Sequence, residues 1–184
     1  MMDLLNWQKE VLEQTDLDIF EIITVRHAGK TTLGLAWLAE DADVSILITA
    51  NAKLIRNELK EKADEFKFKI KNFYVVSNLE QLKKLNLSPK KKIKIVVDEY
   101  FDQPEVSLIA LDNGVGHENY KVMFIGSRSS KEDKFKIPFS KQYVVDLVKL
   151  FSDKGITRNQ VDMVMESYTL EQLELDFGTP FESN

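Results

Sequence analysis

The chain has 184 residues, 43% hydrophobic and 30% charged, with a net charge of −5, which is enough for one domain with a real core and a small appended piece. The absence of cysteine excludes disulfides and thiolate metal sites, two histidines (His27 and His117) argue against a histidine-built zinc site, and no apolar run is long enough to span a bilayer. No signal peptide is visible behind Met1, and an acidic chain of this kind is expected to touch nucleic acid only locally or transiently.

In chain order, Asp3 to Thr15 has the spacing of an amphipathic helix, with Leu4, Leu5, Trp7, Val11 and Leu12 gathered on one side. The amide of Gln8 offers a donor and an acceptor together, as reading an adenine edge requires; a surface glutamine beside a core tryptophan has the same sequence. Residues 19–25 are apolar except for Glu21, the pattern of a parallel strand covered on both faces. Arg26-His27-Ala28-Gly29-Lys30-Thr31-Thr32 follows and leads into a helix-like run through Glu40. Strand, Gly-Lys-Thr loop and helix is how a phosphate-binding loop is built: backbone N–H groups wrap the phosphates at the helix start, the lysine reaches the β- and γ-phosphates, and the threonine hydroxyl holds Mg²⁺. The first glycine of the full pattern is replaced by Thr24, so the tripeptide taken alone also fits an ordinary loop capping a helix.

Residues 44–50 form a second strand, and Asn51 is placed to cap a helix over 52–66 with Leu54, Ile55, Leu59, Ala63 and Phe66 on its inner side. Residues 67–71 alternate with period two, Phe73 to Val76 continue as strand, and Asn78 to Leu85 is a short helix. Lys83, Lys84, Lys90, Lys91, Lys92 and Lys94 read as a solvated loop and strand entry, with a phosphate-backbone contact as the sharper alternative. Ile93 to Val97 then runs into Asp98 and Glu99. Carboxylates end a hydrophobic strand when they face water or a ligand, and in open parallel sheets ligands bind beyond the strand C-termini. Strand–Gly-Lys-Thr–helix followed by strand–Asp-Glu is the order nucleotide hydrolysis needs: Asp98 beside Thr31 for the metal, Glu99 to polarise the attacking water.

Further on, 104–112 is a helix ended by Asn113 to Gly116, 120–125 is a buried strand, and a Gly126-Ser127-Arg128-Ser129-Ser130 turn follows it. Residues 131–141 read as a loop with a short strand, 141–151 as a helix, Gly155 as a stop, and Thr157 as the cap of a last helix to Ser167. From Asp162 onward the charges are all acidic, and Gly178-Thr179-Pro180 reads as the start of a linker.

Together these stretches resemble the ATPase domain of the large terminase subunit, the DNA-packaging motor of tailed bacteriophages. Trp7-Gln8 looks like the family's adenine-recognising segment. Arg26 to Thr32 looks like its deviant phosphate loop, which lacks the first glycine and carries an arginine three residues before Gly29-Lys30. Ile95 to Tyr100 is similar to the metal and catalytic-glutamate strand, Ile125-Gly126-Ser127 sits where the family has its coupling motif, and Met165 to Pro180 resembles the end of the ATPase domain. Here the coupling triplet is Gly126-Ser127-Arg128 rather than threonine-rich, and the nuclease domain's metal-binding aspartates are absent.

The resemblance implies an α/β fold, a RecA-like P-loop NTPase with a mostly parallel sheet flanked by helices. It divides the chain into a core at 1–140, a small helical lid at 141–177 and a linker start at 178–184. It implies a Mg²⁺-dependent ATPase that drives double-stranded DNA into a procapsid. Trp7, Gln8 and residues 26–32 (Arg26, His27, Ala28, Gly29, Lys30, Thr31, Thr32) would hold ATP, Thr31 and Asp98 the Mg²⁺, and Glu99, Lys30 and Arg26 would act in catalysis. A neighbouring subunit's finger would be Arg56, Arg128 or Arg158. The implied partners are transiently held double-stranded DNA, the portal protein, the small terminase subunit and further copies in a ring, at the portal in the host cytoplasm and not in a membrane. The competing readings are a helicase-like ATPase, a small kinase, and a nucleotide-binding interaction module without turnover.

Overall fold

The computed structural model describes residues 4–13, 18–24, 28–100, 119–127 and 141–144. Six strands form one sheet in the order β3-β2-β4-β5-β1-β6, and every neighbouring pair is parallel. They are β1 (Ile19–Thr24), β2 (Val44–Ile48), β3 (Phe73–Val76), β4 (Ile93–Asp98), β5 (Tyr120–Ser127) and β6 (Lys141–Val144). The described helices are α1 (Asn6–Leu12), α2 (Lys30–Ala39), α3 (Ala52–Glu65) and α4 (Leu79–Lys84). The expected RecA-like α/β architecture is therefore present: β5 is inserted between β1 and β4, and both of those strands run toward the same end of the sheet.

The mainly apolar sequences of β1, β2 and β4, interrupted internally only by Glu21, Ser45 and Lys94, follow from burial on both faces. Successive side chains alternate between faces. Phe20, Ile22, Leu47, Val96, Met123 and Ile125 pack with α1, α2 and α3 in one cluster; Ile46, Ile48, Ile95, Val97, Val122 and Phe124 pack with Leu82 and Tyr100 in the other. Gly34 lets α2 lie close to the sheet, since a Cβ there would stand 3.2 Å from Val96 Cγ1.

Several local expectations give way to long-range packing. Leu54 is 81% exposed, because the inward stripe of α3 runs through Ala52, Ile55, Leu59 and Ala63, and Leu54 lies on the opposite side. Asn51 occupies the cap position of α3 but its side chain makes no capping hydrogen bond. Residues 67–71 are not a strand: Phe68 and Ile70 pack on the core between exposed lysines, and left-handed Asn72 (φ 41°) delays β3 to Phe73. Gly126 and Ser127 extend β5, paired with Ile23 and Thr24, rather than forming a turn.

Lys141 to Val144 is the edge strand β6, paired with Phe20 to Ile23, where a helix was expected. The helical spacing of the apolar residues loses to pairing of a short aromatic and β-branched stretch with β1. The start of the expected lid thus belongs to the sheet. The expected helix at 104–112, the short strand within 131–140, the rest of the lid and the linker at 178–184 lie outside the described residues.

Candidate active site

The loop after β1 reaches α2 through Gly29, whose backbone (φ 92°, ψ 23°) is left-handed. A side chain there would be strained and would also meet Gln8, whose Nε2 would be 2.7 Å from the added Cβ. Gln8 is buried at the start of α1: its Oε1 accepts from the Leu5 N–H at 2.8 Å and its Nε2 donates to the Gly29 carbonyl at 2.8 Å. The glutamine expected to read adenine thus also braces the Gly29-Lys30-Thr31 loop. Trp7 beside it is a core residue, 1% exposed. Ala28 and Thr32 are also buried, whereas Lys30 and Thr31 in the first turn of α2 are half-buried.

At the end of β4, Asp98 sits level with Ile125 of β5, which in turn pairs with Ile22 of β1. Burial and the neighbouring Glu99 carboxylate push the Asp98 pKa up to about 6, with Lys30 and a backbone hydrogen bond pulling the other way. Glu99 is in the left-handed region (φ 49°), a conformation that costs about 1–3 kcal/mol for a residue with a side chain and persists where surrounding contacts enforce it. Its Oε1 lies 3.0 Å from Lys30 Nζ, joining the start of α2 to the acidic strand end across the inserted β5. Hard oxygen donors at Asp98 and Thr31 suit Mg²⁺, which takes one or two protein oxygens and completes its shell with water and phosphate. Among the described residues there is no cluster of three or more metal-binding His, Cys, Asp or Glu side chains.

Two contacts escaped the sequence reading. The Tyr100 hydroxyl donates to Glu21 Oε2 at 3.0 Å, and the Tyr100 ring packs edge-on against Phe124 with centroids 5.7 Å apart. Tyr100 therefore reaches over β5 to strand β1 from the position directly after Glu99. The signals were Glu21, the one charge in an apolar strand, and a hydroxyl-bearing aromatic after Asp98-Glu99. The second contact is Lys94. It leaves the surface lysine cluster, is 7% exposed, donates to the Trp37 carbonyl at 2.9 Å, and stands 4.6 Å over the Trp37 ring. Burial lowers its pKa against the opposing pull of Glu40.

Arg56 donates to the Val75 carbonyl at 3.1 Å, on the edge strand four places from β1. At about 4.8 Å per strand this is far from Lys30 in the same chain. Gly126 lies buried in β5. Arg26, His27, Arg128 and Arg158 lie outside the described residues, and nothing is described of the Ser127 side chain.

No protein-family model matches the chain, and no curated protein matches it in sequence. Solved structures do share its fold. The large terminase from a thermophilic bacteriophage in complex with ADP superposes with a TM-score of 0.63 at 14% identity, over 95% of this chain and 54% of that one. The same terminase in complex with ATP-γ-S gives 0.64 at 14% identity over 96% and 53%, and another crystal form gives 0.66 at 14% over 94% and 52%. This chain spans about half the length of that terminase. At such identity the likeness is one of architecture: the chain has the fold of a thermophilic phage's large terminase over roughly half of that protein.

Proposed function

We propose that this chain is the ATPase portion of a DNA-packaging motor, hydrolysing ATP to move double-stranded DNA into a procapsid. The observation that carries the reading is the 3.0 Å pair between Lys30 and Glu99, which joins a left-handed-glycine loop at a helix start to the acidic end of a nearby buried strand. That is the arrangement a phosphate needs on one side and its attacking water on the other.

In this reading the first turn of α2 receives the phosphates, and Lys30 exchanges Glu99 for the β- and γ-phosphate oxygens. Glu99, released, orients the attacking water and accepts its proton. Thr31 and Asp98 would hold Mg²⁺, which supplies charge neutralisation on the phosphates. Arg26 stabilises charge developing on the γ-phosphate, and Gln8 hands the loop brace over to adenine recognition. Gly126 to Arg128 carries the change of state toward DNA. A homo-oligomeric ring at the portal, with the small terminase subunit, would be the working form in the host cytoplasm. Among the described residues no helix is long and apolar enough to cross a membrane.

The test is Mg²⁺-dependent ATP hydrolysis by the wild type and Glu99→Gln, alone and with portal and double-stranded DNA. DNA-stimulated turnover that Glu99→Gln abolishes supports the motor. Nucleotide binding without turnover in any mixture would replace it with a binding module.

A further inference from the structure

At the edge of the sheet remote from the phosphate loop, a groove of about 430 Å³ runs along β3 between α3 and α4. Arg56 and Lys60 line it from α3, Gln81 and Lys84 from α4, and Tyr74 and Val75 from the strand. Among the described residues no carboxylate lines it. Among those same residues Lys60 and Lys84 have no side-chain ion pair or hydrogen bond, and Arg56 makes only its bond to Val75. Three converging cations without a carboxylate are notable in a chain of net charge −5.

The floor of the groove is a strand edge. The Ser45 N–H donates to the Asn72 carbonyl and the Thr49 N–H to the Val76 carbonyl, so the even-numbered peptides of this stretch turn toward β2. By period two, the backbone groups of Phe73 and Val75 turn outward, and among the described residues no strand lies beyond β3. Such an edge is a template for another strand. Tyr74, 42% exposed, stands beside it, and Leu85 offers an apolar wall.

We propose that this groove binds an extended acidic peptide, added as a strand to the outer edge of β3, with its same-face carboxylates on Arg56 and Lys60 of α3 and Lys84 adding positive charge from the α4 side. Carboxylates two residues apart on one face of a strand are about 6.6–6.8 Å apart. Arg56 and Lys60 are one helical turn apart, about 5.4–6 Å, so successive same-face carboxylates meet successive cations. The intervening apolar side chains face the α4 side, toward Leu85. Arg56, which covers the Val75 carbonyl, moves onto a carboxylate as the incoming strand arrives. This site is separate from the ATPase reading and stands or falls without it.

The experiment uses the full chain and a fluorescein-labelled, acetylated seven-residue peptide of alternating valine and glutamate. Anisotropy is expected to show saturable binding, and the peptide with glutamine for glutamate is expected to bind at least about tenfold more weakly. The Lys60→Glu/Lys84→Glu variant, at exposed helix positions, is expected to lose the same factor while keeping its circular dichroism and any ATP turnover. Leu54→Ser, exposed and outside the groove, is expected to bind normally. Amide exchange at Phe73 and Val75 should slow on binding, the mark of strand addition rather than charge attraction alone. No saturable binding, equal affinity for the glutamine peptide, indifference to the charge reversal, or unprotected Phe73 and Val75 amides would each overturn the proposal. A DNA dodecamer that displaces the peptide without protecting those amides would assign the groove to nucleic acid and overturn it too.

Discussion

Lys30 Nζ stands 3.0 Å from Glu99 Oε1, so the cation at the start of α2 and the acid beyond β4 neutralise one another. Lys30 is 10% exposed at its side chain and Glu99 40%, so the cation is the enclosed partner. The pair ties two regions distant in sequence, and each member gives a separate measurement. Glu99→Gln is expected to retain nucleotide binding while turnover falls by about 10²–10⁴-fold, the usual worth of a general base. Lys30→Ala is expected to lose nucleotide affinity as well. Isothermal titration beside steady-state hydrolysis separates the two, and equal losses of binding in both variants would contradict these roles.

Glu99 is held at φ 49° between Asp98, at the end of β4, and Tyr100, whose hydroxyl reaches Glu21 on β1. Tyr100→Phe keeps the ring against Phe124 and removes only the hydrogen bond to a buried carboxylate. A stability loss of about 1–3 kcal/mol is expected by urea unfolding. Turnover is expected to fall several-fold with little change in KM, because the loss acts on the position of Glu99. A fall in stability with kcat unchanged would make the Tyr100–Glu21 contact structural alone.

Gly29→Ala combines a left-handed backbone with an added methyl 2.7 Å from Gln8 Nε2. The backbone alone costs about 1–2 kcal/mol, and relief of the contact would break the Gln8 brace. Lower thermal stability together with weakened nucleotide binding is expected. Gln8→Ala in the same chain should recover part of the stability by removing the contact, whereas no recovery would mean that the backbone is the whole effect.

Asp98 contributes to the pH dependence of stability. Its folded pKa is about 6, above the unfolded value of about 3.9, because burial and Glu99 disfavour its charge. The stabilisation from its neutral form is therefore fully present below the unfolded value and is lost as pH rises through about 6. A gap of about two units corresponds to about 3 kcal/mol. Asp98→Asn, which cannot ionise, is expected to be more stable than the wild type at pH 8 and to lose that advantage near pH 4. Parallel unfolding curves at the two pH values check it; a constant difference would refute the linkage.

The element types of the sheet were legible where the chain is mainly apolar. β1, β2 and β4 could be read because burial on both faces leaves no polar alternation, and Gly29-Lys30-Thr31 announced its loop by residue type. The errors fell where a local pattern admits two partners. Residues 67–71 alternate as a strand does, but among the described residues no neighbouring strand pairs with them. Lys141 to Val144 has helical spacing yet pairs with β1. Leu54 belongs to an apolar set whose inward stripe passes it by.

By itself, the amino-acid sequence determined the buried parallel strands, the glycine-lysine-threonine loop and the acidic pair that ends β4, because each depends on neighbours in the chain. Only the tertiary structure decided that β5 would separate β1 from β4, that Lys30 would meet Glu99, and that Gln8 would brace Gly29. It alone brought Tyr100 to Glu21 and placed Arg56, Lys60 and Lys84 around one groove along β3. The physical reason is that these relations follow from the lateral order of strands in the sheet. That order is set by long-range pairing and the filling of two cores, and no local periodicity encodes it.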